Sequence, residues 1–175
     1  MKKKISYKKA WEFLKHATPL ETDCGMLCDH ACCKGTADDG MMLFPGEEEM
    51  YPGGEDWYAI SNSNVTLSDG TIIRLFVCNG RCNRDMRPLS CRIFPVIPYI
   101  DDLDYLEFVP DLRGAAVCPF LFHSDIYEIS PVFIDALYSA FSTLIEDKKV
   151  LEFIEILSNQ HDELAQDFKQ FFDTD

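Results

Sequence analysis

With 175 residues, 47% of them hydrophobic, the chain is long enough to bury a core as a single domain. Its 16 basic and 30 acidic residues give a formal charge of −14, and charge of that sign repels a phosphate backbone. The composition therefore predicts a protein without a nucleic-acid partner.

The N-terminus begins with lysines but lacks the apolar stretch that follows them in a signal peptide. Apolar residues at helical spacing predict an amphipathic helix there instead: Tyr7, Ala10, Trp11 and Leu14. We expect Ser6 to cap this helix and Pro19 to stop it. Because no segment reaches the roughly 18 apolar residues of a membrane span, we expect a cytoplasmic protein without membrane contact.

Four of the eight cysteines lie within the ten residues CGMLCDHACC, from Cys24 to Cys33. A reducing cytosol keeps thiols free, so this density favours metal or redox chemistry, whereas a disulfide framework would require an exported protein. If the segment is helical, Cys24 and Cys28 are one turn apart, as are Cys28 and Cys32, and the Cβ atoms of each pair are about 5–6 Å from each other. Tetrahedral zinc needs sulfurs about 3.8 Å apart, which this spacing allows, and a loop wrapped around the ion would serve equally.

Cys32 and Cys33 are adjacent, so their side chains point in different directions in a helix or a strand. We do not expect both to bind one ion: either two centres exist or one of the pair is not a ligand. An exposed pair here would also fit a thiol–disulfide or metal-delivery protein. His30 lies inside the cluster, where it could replace a thiolate, but we expect it to face solvent.

Glycines and prolines in residues 34–57 predict an ordered loop. A β-hairpin is predicted at residues 65–77, where Asp69 and Gly70 would supply a two-residue turn with positive φ. Its second arm leads directly into Cys78, so the hairpin should carry the next group of cysteines.

The second cysteine group lies in residues 78–92, CNGRCNRDMRPLSCR, and contributes Cys78, Cys82 and Cys91. Cys-Asn-Gly-Arg-Cys is typical of a metal knuckle, because glycine permits a tight turn whose N–H groups donate to thiolate sulfur. Five arginines accompany this group: Arg74, Arg81, Arg84, Arg87 and Arg92. They would offset the negative charge of four thiolates on zinc, or else form a surface patch or pair with the acidic loop at residues 47–56.

The last third of the chain is predicted to be helical, after a short strand at residues 104–109 that ends at Pro110. Ser130 and Pro131 form an N-cap and first-turn pair. The apolar residues that follow trace one helical face: Phe133, Leu137, Phe141 and Leu144. Residues 150–157 are apolar over a wide arc, so we expect that helix to be packed on more than one side.

The cysteine pattern resembles the small cysteine-cluster proteins called YkgJ-like. The residues that carry this likeness are the cluster ending in Cys32-Cys33, then Cys82, then RPLSCRIFP at residues 87–95, then Cys118. Those proteins are described as zinc- or iron-chelating domains, and flagellin lysine N-methylases share the signature. The family's first cluster reads Cys-x2-Cys-x2-Cys-Cys, whereas each gap here is one residue longer. The resemblance covers about residues 24–118 and implies metal binding more firmly than any reaction.

We therefore predict an α+β protein of one domain. It would comprise an N-terminal helix (1–20), a cysteine-cluster metal-binding core with a small β-hairpin (21–120) and C-terminal helices (121–175). The predicted function is binding of zinc or an iron–sulfur cluster through all eight cysteines: Cys24, Cys28, Cys32, Cys33, Cys78, Cys82, Cys91 and Cys118.

The alternative is an iron–sulfur enzyme, methyltransferase-like or redox, that uses the cysteine-bound centre. No nucleotide-binding loop or zincin helix supports that alternative in the sequence. An open coordination position, or a cavity beside the arginines, would favour it. The sequence predicts a metal ion as partner, and no substrate or protein partner follows from it.

Overall fold

The computed structural model describes residues 2–21, 24–34, 39–80, 82–122 and 128–172. The α-helices are α1 (Lys2–Phe13), α2 (Gly25–Cys28), α3 (Leu89–Ile93), α4 (Pro119–Phe122), α5 (Pro131–Leu144) and α6 (Lys148–Phe172). The strands are β1 (Met41–Met42), β2 (Tyr58–Thr66), β3 (Ile72–Cys78), β4 (Val96–Ile100) and β5 (Leu106–Pro110). Short 3-10 helices lie at Ala31–Cys33, Glu47–Met50, Arg84–Met86 and Leu112–Gly114. The fold thus combines helices with small antiparallel sheets, as the α+β prediction requires.

The predicted hairpin is present as β2 and β3, which pair antiparallel, with β1 on the other side of β3. The predicted two-residue turn is wrong. Thr66 is the last residue of β2 to pair, opposite Ile72, and Gly70 has a φ of +85° while Asp69 keeps a negative φ. The hairpin needs one left-handed residue rather than two, because its loop is longer than a two-residue turn.

The predicted N-terminal helix is present, and three residues of its four-residue stripe are buried: Tyr7, Ala10 and Leu14 are at most 3% exposed, while Trp11 is partly exposed. Its predicted ends are wrong. The helix begins at Lys2, so Ser6 lies inside it, and it ends at Phe13, before Pro19. The lysines before Ser6 have a good helix propensity, so the helix starts earlier than local capping preference would have chosen.

The two C-terminal helices supply much of the core. Ser130 is the N-cap residue of α5 and Pro131 its first residue, as predicted. The predicted face of α5 is buried to 2% exposure or less: Phe133, Leu137, Phe141 and Leu144. The rings of Phe141 and Phe153 both meet the ring of Phe44 edge-on, with centroids 5.2 and 5.4 Å away.

A second hairpin lies against α6. The predicted strand at residues 104–109 is present as β5, shifted to Leu106–Pro110, and β4 is its partner, which the sequence analysis did not foresee. The Ser158 hydroxyl of α6 accepts the Ile100 N–H of β4 at 2.9 Å, which fixes the helix to the hairpin edge. None of the helices in the described ranges is both long and apolar enough to cross a bilayer.

Candidate metal centre

The second cysteine group is positioned by the end of β3 and by α3. Cys78 is the last residue of β3 and pairs with Tyr58, and the next amide, of Asn79, donates to the Trp57 carbonyl at 3.0 Å. Gly80 then adopts a φ of +81°, a left-handed conformation that glycine takes without steric cost. The sequence prediction of a tight glycine turn between Cys78 and Cys82 fits this backbone.

The first cysteine cluster (24–33) and the second cysteine group (78–92) come into contact at this turn. A Cβ atom on Gly80 would lie 3.0 Å from the backbone carbonyl oxygen of Cys33, so the turn and the early cluster are in direct contact. A cavity of about 600 Å³ opens beside them, and five cysteines lie on its wall: Cys32, Cys33, Cys78, Cys82 and Cys91. Two stretches that are remote in sequence therefore share one surface.

We call Cys33, Cys78, Cys82 and Cys91 the hairpin set, because they gather where the β2–β3 hairpin ends. The pKa of the Cys91 thiol is raised well above its ordinary value, chiefly by burial and further by the charges of the other three members. Arg87 opposes that rise. Arg87 Nη2 donates to Cys82 Sγ at 3.5 Å, and the positive charge of the same guanidinium lowers the pKa of Cys91.

The remaining cysteines, Cys24, Cys28, Cys32 and Cys118, are named the helical set. The first three lie on or beside α2 and the 3-10 helix Ala31–Cys33, and Cys118 directly precedes α4. Cys32 is exposed, and a hydrogen bond with the Cys33 thiol lowers its pKa, while partial burial of the sulfur and the charges of Cys28, Cys24 and Cys91 raise it. Cys118 is 7% exposed, and burial and the charge of Cys28 raise its pKa.

All eight cysteines fall in the described ranges and are in the thiol form. Across those ranges, no three Cys, His, Asp or Glu side chains are already arranged around a common ion position. A change of χ1 rotamer moves a cysteine sulfur by about 3 Å. The donor set itself is chemically suited to zinc or to an iron–sulfur cluster, since both are held by four thiolates.

The predicted arginine cluster divides between two roles. Arg87 lies among the hairpin set, as the charge argument expected. Arg92 instead donates to backbone carbonyls, to Arg87 O at 2.7 Å and Asp85 O at 2.9 Å, and its guanidinium stacks over the Trp11 ring at 4.8 Å. These hydrogen bonds fix the backbone between Cys82 and Cys91. Arg81 lies outside the described residues.

Glu47 is a buried carboxylate that the sequence analysis missed. Its side chain is fully buried; Oε1 accepts Trp11 Nε1–H at 2.9 Å and Leu89 N–H at 2.7 Å, and Oε2 accepts Phe44 N–H at 3.2 Å. Burial raises its pKa to about 7, and those three donors and the charge of Arg92 act against the rise. Because Leu89 is the first residue of α3, Glu47 holds the helix that carries Cys91.

Neither His30 nor Asp101 belongs to a group of metal-ligating side chains within the ranges that the structure describes. His30 faces solvent, as predicted, with its ring over Gly25. Asp101 is a turn residue: its Oδ1 accepts the N–H groups of Leu103 and Tyr105. On the cavity wall, the Asp111 carboxylate accepts two hydrogen bonds from the Arg113 guanidinium, with N–O distances of 2.7 and 2.8 Å.

Comparisons of the chain with protein-family models, with curated proteins and with solved structures find no match. The resemblance to the YkgJ-like proteins therefore stays a prediction, and function has to be inferred from the geometry of this chain.

Proposed function

We propose that this protein binds a metal ion or iron–sulfur cluster through cysteine thiolates, with the hairpin set as ligands. The observation that carries this proposal is the contact between the Cys33 carbonyl and the Gly80 turn, which places two remote groups of cysteines on one cavity wall. A buried structural thiol would not need three further thiols beside it.

The charges around the hairpin set support this proposal. Thiolates must lose their protons to bind a metal, and four thiolates on Zn²⁺ leave a net charge of −2. Arg87 faces two of the sulfurs and would stabilise that charge. The raised pKa of Cys91 is the cost of burial without a metal, which a bound cation would reverse.

A bound metal would also explain the structure of residues 78–91. Between the end of β3 at Cys78 and the start of α3 at Leu89, the only regular element among the described residues is the 3-10 helix Arg84–Met86. A metal that joins it to the segment before residue 34 would fix both loops, as in small domains whose metal contributes folding free energy. The reducing cytosol expected from the sequence would keep these thiols available as ligands.

The test is metal analysis of full-length protein purified without oxygen, with Cys82→Ser and Leu103→Ser as the variant pair. We expect Cys82→Ser to lose metal and thermal stability together. Leu103, 73% exposed in the turn between β4 and β5, is the control position; its replacement by the same residue, serine, should change neither. Unchanged metal content in Cys82→Ser would exclude Cys82 as a ligand. Colourless protein with stoichiometric zinc would indicate zinc, and brown protein an iron–sulfur cluster.

One observation favours the alternative function, an enzyme that uses this centre. The cavity of about 600 Å³ beside the cysteines has the size of a small-molecule site, and the arginines Arg87 and Arg113 lie on its wall. A centre that faces such a cavity could contact a bound substrate, which a closed structural site could not.

Cobalt(II) in place of zinc tests whether the centre has an open position. Imidazole should change the cobalt spectrum if a coordination position faces the cavity, and should have no effect on a closed four-thiolate site. Leu75→Trp would fill the cavity and block this change. Ile72→Trp, at an exposed position of the same strand, is the matched control. If imidazole leaves the cobalt spectrum of the wild-type protein unchanged, the enzyme function is rejected.

A further inference from the structure

Strand β2 is an outer strand of its sheet. The strand order is β1-β3-β2, so within the ranges that the structure describes β2 has a neighbour on one side only. Natural proteins protect such edges with lysines, prolines or bulges, which discourage further pairing. The nine residues Tyr58–Thr66 contain no charged residue and no proline. Their register against β3 shifts only after Asn62, so the regular part of the strand, residues 58–62, lacks these protections.

The hydrogen bonds at the end of β3 show which backbone groups of β2 point outward. In an antiparallel pair, alternate residues of each strand bond to the partner, and the residues between them point to the opposite side. Asn79 donates its N–H to the Trp57 carbonyl at 3.0 Å, so Trp57 bonds toward β3 and the backbone groups of Tyr58 point away from it. The same alternation directs Ile60 and Asn62 to the outer edge.

The other end of the register gives the same result independently. Arg74 is paired with Asn62, yet its carbonyl accepts the Leu43 N–H at 2.8 Å, on the β1 side of β3. The Asn62 backbone groups therefore point away from β3. Among the described residues, no backbone group beyond the edge bonds to Tyr58, Ile60 or Asn62. Their N–H and C=O groups form a row to which an added strand can bond.

A groove runs along this edge. Its volume is about 570 Å³, and three consecutive residues of β2 line it: Tyr58, Ala59 and Ile60. Successive side chains of a strand point to opposite faces, so a groove that touches all three follows the strand edge rather than one face. The loop after the 3-10 helix Glu47–Met50 forms another wall, where Gly53 donates its N–H to the Tyr58 hydroxyl at 3.2 Å. The groove can therefore hold an extended segment of polypeptide beside β2.

The charge of the groove favours a basic segment. Glu48 and Glu55 lie on its wall, within residues 47–56, which carry five acidic residues and no basic one. Arg74 is also on the wall, but its guanidinium donates to the Asn62 side chain. A second copy of this chain is disfavoured as the occupant, because two chains of charge −14 would bring their acidic walls together.

We propose that the outer edge of β2 binds an extended basic segment of another protein, which pairs with Tyr58, Ile60 and Asn62 as an added strand. Main-chain hydrogen bonds would hold the segment, and its alternate side chains would meet the acidic wall at Glu48 and Glu55. No member of the hairpin set lines this groove, so the inference is independent of the proposed metal binding, and neither result decides the other.

The test is amide hydrogen exchange, followed by NMR on the full chain with reductant. In the free protein, the outward amides of Tyr58, Ile60 and Asn62 should exchange fast, whereas those of Ala59 and Ser61, bonded to β3, should be protected. The probe is the peptide acetyl-Thr-Lys-Thr-Lys-Thr-Lys-Thr-amide, whose lysines share one face of a strand. With a Kd on the order of 0.1 mM, about 1 mM peptide should slow the outward amides roughly tenfold. Outward amides that are already protected in the free protein, or that the peptide leaves unchanged, would overturn the proposal.

A modified peptide separates strand pairing from simple charge attraction. N-methyl groups on two adjacent central residues remove a backbone donor from each edge of the peptide and leave its charge unchanged. This peptide should bind wild type about tenfold more weakly. Equal binding of the two peptides would show that charge alone attracts them, which overturns the proposed pairing.

Variants at Ile60 test the same edge from the protein side. Ile60→Pro removes an outward N–H without removing a bond to β3, and an edge strand tolerates proline at such a position. Ile60→Val keeps the N–H and is the matched control. Ile60→Pro should lose peptide binding and Ile60→Val retain it, with circular dichroism to confirm that both fold. Equal affinities would overturn the site, and if Ile60→Pro does not fold, the N-methylated peptide on wild type still decides.

Two further measurements test the nature of the occupant. Glu55→Gln should weaken peptide binding about threefold, on the order of one exposed ion pair, whereas Glu155→Gln, exposed on α6, should not. Equal affinities of these variants would overturn the preference for a basic segment. Size-exclusion chromatography should give a monomer, and a wild-type dimer that dissociates in Ile60→Pro would identify a second copy as the occupant and overturn the proposed partner.

Discussion

Replacing Glu47 by Gln should change how the stability of this protein depends on pH. The folded-state pKa of Glu47, about 7, lies above its ordinary value of 4.5. The folded state therefore binds a proton more tightly than the unfolded state does. The free energy of unfolding must then fall as pH rises from about 4.5 to about 7, because the unfolded chain releases its proton first.

The size of this effect follows from the shift. Each pKa unit corresponds to about 1.4 kcal/mol, so raising the pH from 5 to 8 should remove roughly 2 to 3 kcal/mol of stability through Glu47 alone. Glu47→Gln removes the titration. Its amide oxygen can still accept from Trp11 and Leu89, but its NH₂ faces the Phe44 N–H, donor against donor. That mismatch should cost about 1–3 kcal/mol at every pH.

The assay is urea unfolding of wild type and Glu47→Gln between pH 5 and 8, with reductant and chelator so that the cysteines contribute equally to both. The stability advantage of wild type should shrink by roughly 2 to 3 kcal/mol across this range. Glu49→Gln, exposed in the same 3-10 helix, should show no such trend. A wild-type advantage that stays constant or grows with pH would mean that the three N–H donors and Arg92 keep Glu47 ionised, which refutes the burial argument.

Two further substitutions test the packing and the charge of the hairpin set. Gly80→Ala should lower stability by more than Gly70→Ala and should also weaken zinc binding. Both glycines have φ above +80°, so alanine at either position costs about 1–2 kcal/mol of backbone strain. Only at Gly80 would the new Cβ also lie close to a backbone carbonyl oxygen, that of Cys33. Thermal melts measure stability and chelator competition measures zinc affinity. Equal losses in the two variants would show that the contact between Gly80 and Cys33 contributes to neither. Arg87→Met should weaken zinc binding about tenfold, on the order of the loss of one charge-assisted hydrogen bond. Arg74→Met is the control and should not weaken it, because Arg74 donates to Asn62 on the sheet. Identical zinc affinities of the two variants would show that Arg87 does not stabilise the thiolates.

The helices were the best predicted part of the fold, because a helix records its burial in a local repeat. The faces of α1 and α5 could be found from the spacing of apolar residues, and both are buried. Their ends were less predictable: Ser6 is a good capping residue, yet α1 begins four residues before it. Capping contributes about 1 kcal/mol, and the lysines before Ser6 are themselves good helix formers.

The candidate site was only partly predictable. The density of cysteines and the glycine turn before Cys82 identified the residues to consider, but not which of them would be neighbours. Glu47 shows the limit most clearly. Three consecutive glutamates, residues 47–49, are equivalent in sequence, and only the first is buried under α3.

The sequence by itself determined which residues could bind a metal and where the helical and β-hairpin segments would form, because periodicity and residue chemistry are local properties. Tertiary structure alone decided that Cys33 lies against the Gly80 turn and that Arg87 rather than Arg92 donates to a cysteine sulfur. These contacts join residues far apart in the chain. Their geometry depends on how the helices and hairpins pack around the core, which no local pattern encodes.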